Sequence, residues 1–212
     1  MGVKSKIVRS KSSFNQRGLY GYFIPNNALL ISMIAIFTAL TCLLTFIVPL
    51  TIPATGGYIN LGDIGVMISG ILFGPIIGGI AGGLGSAITD IFLAPLYVFP
   101  TLIIKGLEGF IVGFIANPKK NYLKFNYRDI IAVILGGLIM IFGYLITEII
   151  IYGFPAAIFE FFFNSAIQFG FGVAAAILFA IFARKNIIVN LPQVFDKIFI
   201  YTETGKDVEE KY

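Results

Sequence analysis

The chain has 212 residues, of which 58% are hydrophobic, 15% aromatic and only 12% charged. An ordinary soluble domain carries about 25% charged residues, so lipid rather than water must cover most of this exterior. The absence of histidine removes His-based triads, His metal sites and His proton relays, and the single cysteine, Cys42, in an apolar run, removes internal disulfides and multi-cysteine metal sites. No cofactor and no metal is expected.

Residues 1–27 read as a basic cytoplasmic tail that precedes the first apolar run. A membrane helix needs about 20 apolar residues, roughly 17–25. The first candidate runs from Ala28 to Val48 and stops at Pro49 and Pro53. The second, Ile59 to Phe73, is short and glycine-rich and ends at Gly74-Pro75. The third continues from Ile76 to Leu93, and Pro95 and Pro100 break the pattern after it. The fourth covers Thr101 to Ala116 and closes at Asn117-Pro118. The fifth is Ile130 to Tyr152, ended by Gly153 and Pro155, and the sixth is Ala156 to Ala183. The spacing therefore predicts an all-α membrane protein with six transmembrane helices over residues 28–184, a multi-pass protein of the cell membrane.

Charge tests the count independently. With both termini in the cytoplasm, fourteen of the fifteen basic residues fall in the N-terminal tail, in the loop after span four or after span six, as the positive-inside rule requires. Merging spans two and three would put the Lys119–Arg128 loop outside. The net charge of +4 is thus a topological signal and not a nucleic-acid patch. Residues 185–212 read as a second cytoplasmic tail. In it Leu191, Val194, Phe195, Ile198 and Phe199 follow a helical period, which predicts a short amphipathic helix on the inner interface.

Ionisable side chains inside a bilayer are expensive and default to functional roles. Six lie in or beside the spans: Asp63, Asp90, Lys105, Glu108, Glu148 and Glu160. The topology puts all of them in the outer half except Glu108, which approaches the midplane. Helical spacing sorts them into stripes. Thr101, Lys105 and Glu108 share one face of span four; Tyr144, Glu148 and Tyr152 one face of span five; Glu160, Asn164 and Gln168 one face of span six. Converging stripes would enclose a polar, aromatic-walled cavity open to the outside, the character of a small-molecule pocket. The structural alternative is that Lys105 and Glu108, three residues apart, only neutralise each other.

Gly74, Gly78, Gly82, Ser86 and Asp90 recur every four residues along span three, beside a second row at Gly79, Gly83 and Ala87. Small residues at this spacing let helix backbones approach closely in lipid. The GGLG sequence lacks the Lys-Ser/Thr ending of a nucleotide-binding loop, so ATP hydrolysis is not expected of this chain. Span one carries Ala35 and Ala39, a small-residue face that suits either another chain or packing within the bundle.

The stretch PATGGYINLGDIGVMISGILFGPIIGGIAGGLGSAITD, followed by PTLIIKGLEGFIVGFIA, resembles S components of energy-coupling factor (ECF) transporters, in the branch grouped with riboflavin- and hydroxymethylpyrimidine-type members. The resemblance covers Ala28 to about Arg184. It implies a non-enzymatic, six-helix subunit that binds a vitamin or related micronutrient from outside, a transmembrane coupling (T) subunit, and two cytoplasmic ATPases. It also implies that the first outer loop, here Thr51–Asn60, lids the pocket, that the outer halves of the last three helices line it, and that Ala35 and Ala39 form the coupling face. The expected binding residues are Asn60, Asp63, Thr101, Lys105, Glu108, Tyr144, Glu148, Glu160, Asn164 and Gln168. With no tryptophan in the chain, a site built on indole stacking is not expected, and the excess of carboxylates favours a ligand with N–H donors or positive charge. The functional alternative is a stand-alone proton-coupled carrier with Glu108 and Glu148 as its relay. A common inverted repeat is not evident.

Overall fold

The computed structural model describes residues 28–116 and 125–191, together with the short stretches 18–19, 22–23 and 194–195. Two two-residue strands, β1 (Gly18–Leu19) and β2 (Tyr22–Phe23), pair antiparallel ahead of the first helix, α1 (Ala28–Ile47). Strands β3 (Leu50–Thr51) and β4 (Tyr58–Ile59) then form a hairpin before α2 (Gly62–Phe73). Helix α3 (Pro75–Leu93) follows, then a 3₁₀ turn (Pro95–Tyr97) and α4 (Val98–Ala116). Helix α5 (Tyr127–Tyr152) leads to a last span in three pieces: α6 (Phe154–Phe163), a π-helical turn (Asn164–Phe169) and α7 (Gly170–Phe182). Helix α8 (Arg184–Asn190) closes the described bundle.

The breaks expected at Gly74-Pro75, Pro95 and Gly153 are present, whereas Pro100 does not break the chain: it lies in the first turn of α4, which begins at Val98. Gly74 and Gly153 adopt φ of 83° and 85°, values that L side chains rarely reach, and each is followed by a helix with proline in its first turn. Asn126 caps α5 in a reciprocal capping box with Asp129. The second span differs from expectation at its outer end. Tyr58 and Ile59 are strand residues, and the Asn60 side chain accepts from the Gly62 N–H at 2.8 Å, so the helix begins only at Gly62.

Five helical stretches are long and apolar enough to cross a membrane, and α2 is the short sixth pass. At 1.5 Å per residue its 12 residues rise about 18 Å, against about 30 Å of hydrocarbon. Burial explains how it can be short. Ten of its residues are buried, so protein surrounds it and it need not match the lipid thickness.

Glycine makes the centre of the bundle dense. A Cβ at Gly78 would lie 2.7 Å from both the Gly109 carbonyl and the Gly70 Cα, and one at Gly83 would lie 2.7 Å from the Leu102 carbonyl. Helices α2, α3 and α4 therefore meet backbone to backbone, as the small-residue rows predict. At the end of the bundle away from the hairpin, Arg184 forks onto Asp129 at 2.7 and 3.0 Å, and Arg128 Nε donates to the Ile115 carbonyl at 3.2 Å. Val194 and Phe195 are buried there, with Phe195 stacked on Phe73 (centroids 5.4 Å apart). These two members of the expected amphipathic segment face the bundle. The remainder of that segment beyond Leu191, like most of the N-terminal tail and the 117–124 loop, lies outside the described residues.

Candidate functional site

At the opposite end the β3–β4 hairpin folds over the space between α3, α4, α5 and the last span. Two of its anchors are side chains and one is a backbone N–H. The Tyr58 hydroxyl donates to Asp90 at the outer end of α3, and the Thr55 hydroxyl donates to Glu160 at the start of the last span. The Asn60 N–H donates to Gln168 Oε1 at 3.1 Å. Gly57 makes the close approach: a Cβ there would lie 2.8 Å from Glu160 Oε1.

Beneath the hairpin is a cleft of about 310 Å³, the space at its open mouth included. Its walls include Tyr58, Asp90, Tyr97, Thr101, Tyr144, Glu160, Asn164 and Gln168. Thr101 Oγ1 and the Tyr144 hydroxyl are 2.9 Å apart and join α4 to α5.

The π turn determines the wall on the last span. Four residues of α-helix advance about 400°, some 40° past alignment. Four residues of π-helix, at about 4.4 residues per turn, fall roughly 33° short. An α step from Glu160 to Asn164 followed by a π step to Gln168 nearly cancels the drift. All three side chains consequently face one cleft, with Asn164 Nδ2 3.4 Å from Glu160 Oε1.

Of the ten residues singled out from the sequence, six line this cleft: Asn60, Thr101, Tyr144, Glu160, Asn164 and Gln168. Asp63, Lys105 and Glu108 do not. Lys105 Nζ pairs with Asp63 Oδ1 and, at 3.0 Å, with Glu108 Oε2; all three are at most 1% exposed. This triad bridges α2 and α4, and the ammonium sits 5.7 Å from the Tyr144 ring centroid. Neutralisation, the structural alternative, describes Lys105 and Glu108, with Asp63 as the third member. Glu148 is fully buried and outside the cleft lining, and neither of its carboxylate oxygens has a hydrogen-bond partner among the described residues.

Among the lining residues outside those ten, Asp90, Tyr58 and Tyr97 carry polar groups. The sequence marked Asp90 both as an ionisable residue of the outer half and as the end of the small-residue row of α3, but no polar stripe carried it into the expected binding set. Tyr58 and Tyr97 lie in the hairpin and the 3₁₀ turn, where no helical period can assign a face. Burial, then the charge of Asp90, pushes the Tyr58 phenol well above its ordinary range, so it remains a donor. Ala35 and Ala39 are both exposed on the outer face of α1, which removes packing within the bundle as their role.

Residues 26–192 match the family described as ECF-type riboflavin transporter, S component. Over 124 residues the chain is 42% identical to a Pyrococcus woesei protein described as "Uncharacterized protein in gap 3'region", covering 58% of this chain and 80% of that one. Over 130 residues it is 32% identical to the thiamine precursor transporter HmpT of Lactococcus lactis subsp. cremoris (strain MG1363), covering 60% of this chain and 72% of that protein. With its helical bundle and lidded cleft, the chain belongs to the ECF-type riboflavin transporter S-component family, a multi-pass membrane protein of transport and not an enzyme.

Proposed function

We propose that the chain captures a small vitamin or vitamin precursor from outside the cell and hands it to an ATP-driven module made of a transmembrane coupling subunit and two ATPases. One observation carries the reading: a hairpin hydrogen-bonded to the α3 and last-span walls closes a polar, tyrosine-walled cleft at the end of the bundle opposite Arg128 and Arg184. By the positive-inside rule that end faces outward. A ligand entering there meets Asp90, Glu160, Asn164 and Gln168 for hydrogen bonds and Tyr58, Tyr97 and Tyr144 for stacking. The Lactococcus relative is a thiamine precursor transporter, which agrees with a small ligand of this kind. Ala35 and Ala39, with only a methyl group each, give α1 a face on which a coupling helix can seat closely.

The test is mass spectrometry of the small molecule that stays with the gently purified protein, followed by uptake of that molecule in cells. Capture for an ATP-driven module predicts uptake that requires a coupling subunit and stops on ATP depletion. Uptake that survives ATP depletion but stops with an uncoupler would instead identify a proton-coupled carrier.

A further inference from the structure

We propose that the outer half of the bundle seats one acyl chain of an outer-leaflet phospholipid, in a furrow between the back of the β3–β4 hairpin and the last span. The site is separate from the cleft and does not depend on the capture reading.

The furrow follows from two local periods. Side chains alternate along β4: Tyr58 and Asn60 line the cleft, whereas Ile59 between them lines the furrow. On the last span, Phe159, Phe163, Ile167 and Phe171 each stand one residue before a member of the row Glu160, Asn164, Gln168 and Gly172. The mixed α and π steps that hold the polar row in line hold this apolar row beside it. The hairpin is bonded to the polar row, through Thr55 to Glu160 and Asn60 to Gln168. The cleft lies on one side of that contact and the apolar row on the other. There, two recesses of about 490 and 470 Å³, open mouths included, share Leu50, Ile59 and Ile167 and so make one furrow.

Surroundings and dimensions identify the occupant. The walls are almost wholly apolar, and Leu50, Phe159, Phe163 and Phe171 are between 40% and 63% exposed. Three of these four belong to a membrane-spanning stretch, so the furrow opens to lipid. Asn60 and Gln168, at its back, are bonded to each other at 3.1 Å. Water finds few partners in such a space, and an empty furrow would cost its walls their dispersion contacts. The rings of Phe159 and Phe163, with centroids 5.0 Å apart, brace one wall. From Phe159 to Phe171 the span rises about 18 Å at 1.5 Å per residue, close to the depth of one leaflet, half of about 30 Å. The row starts near the outer end of the span and runs along its axis, as a lipid tail does. A protein helix about 10 Å across and equally long would occupy roughly 1,400 Å³, more than the whole furrow. A single acyl chain, one methylene wide, enters it.

The chain contains no tryptophan, so one introduced indole reports its own surroundings. Phe163→Trp places it on the furrow wall; Phe162→Trp places it one residue away, at the same depth but outside the furrow lining. Each full-length variant is reconstituted in vesicles of dioleoylphosphatidylcholine with increasing shares of di-(9,10-dibromostearoyl)phosphatidylcholine, whose bromines quench indole on contact. If only exchanging bulk lipid surrounds the span, the loss of fluorescence follows exposure, and position 162, at 65% against 40%, loses more. A seated chain reverses the order: Phe163→Trp should lose the larger fraction at every bromolipid share. Adding Ile167→Phe, which fills the junction of the two recesses, should remove that excess. If this variant does not fold, Leu50→Phe fills the same junction, and Phe159→Trp is the second reporter on the same wall. Quenching at 163 no stronger than at 162, or an excess that survives both fillings, would overturn the acyl site. Strong quenching at 162 with none at 163 would overturn it in favour of a protein partner covering the furrow.

Discussion

Replacing Lys105 by methionine separates a residue that holds the site together from one that touches ligand. At the 3.0 Å separation of Lys105 and Glu108, an effective dielectric of about 20 gives roughly 5 kcal/mol of gross attraction. Desolvation of the two ions offsets much of that. What the substitution exposes is a different quantity, the cost of leaving Asp63 and Glu108 buried without their cation, about 3–5 kcal/mol for broken buried pairs. Lys105→Met should therefore lose stability on that scale in chemical or thermal unfolding in detergent micelles, and affinity should fall as α2 and α4 loosen beneath Tyr144. The decisive variant adds Asp63→Asn and Glu108→Gln, which removes every charge of the triad at once. Stability should recover most of the loss, and ligand affinity should return to within about threefold of wild type. A triple variant that is stable but does not bind would refute the reasoning and return Lys105 to direct ligand contact, the role its place on the span-four stripe suggested.

Gly78→Ala should destabilise by about 1–3 kcal/mol, because its Cβ meets backbone atoms of two helices that no rotamer change can move. Gly170→Ala, with nothing within 4 Å of its Cβ, should be neutral or stabilising by up to about 1 kcal/mol; equal melting temperatures for the two variants would contradict the packing argument. Thr55→Val removes the hydroxyl that ties the hairpin to Glu160 and should speed ligand dissociation about tenfold or more, measured by stopped-flow. Gly57→Ala should do the same by pushing the Glu160 carboxylate aside. Leucine at both Ala35 and Ala39, exposed on α1, should abolish uptake in cells that supply a coupling module while equilibrium binding survives; loss of both would place these residues in the fold itself.

The sequence exposed the spans because their ends are chemically marked. Pro75, Pro95, Pro155, Gly74 and Gly153 cannot continue the preceding helix, and the basic residues assigned a direction to each pass. The walls of the cleft were legible for the same periodic reason, so Thr101, Tyr144, Glu160, Asn164 and Gln168 were found. Spacing assigns a face, however, and not a depth. Lys105 is one turn from Thr101 on the same face, yet it lies beneath the cleft because Asp63 of α2 reaches it first. The π turn left no trace in the sequence, since its residues, NSAIQF, have no composition that distinguishes them from an α-helix. Tyr58 and Tyr97 were missed because pairing and a proline turn, neither of them periodic, aim their rings.

The two sides of the cleft are built so differently that ligand entry has one plausible hinge. Helix α3 is far more deeply buried than the last span, and its contacts are backbone against backbone. Moving α3 would open several glycine contacts at once, whereas moving the last span disturbs chiefly side chains. The hairpin has bonds to both walls: Tyr58 to Asp90 on α3, and Thr55 and Asn60 to Glu160 and Gln168 on the last span. Outward displacement of the last span breaks the latter two together and leaves the hairpin swinging on Tyr58. Spin labels at Leu96 and Phe162, both lipid-exposed, with Cys42 replaced by alanine, should therefore give a broad distance distribution without ligand and a narrow one with it. A control pair at Leu84 and Leu107, exposed positions on the glycine-packed helices, should stay narrow in both states. Broadening of the control pair to the same extent would mean that the bundle breathes as a whole, and the hinge would have to be abandoned.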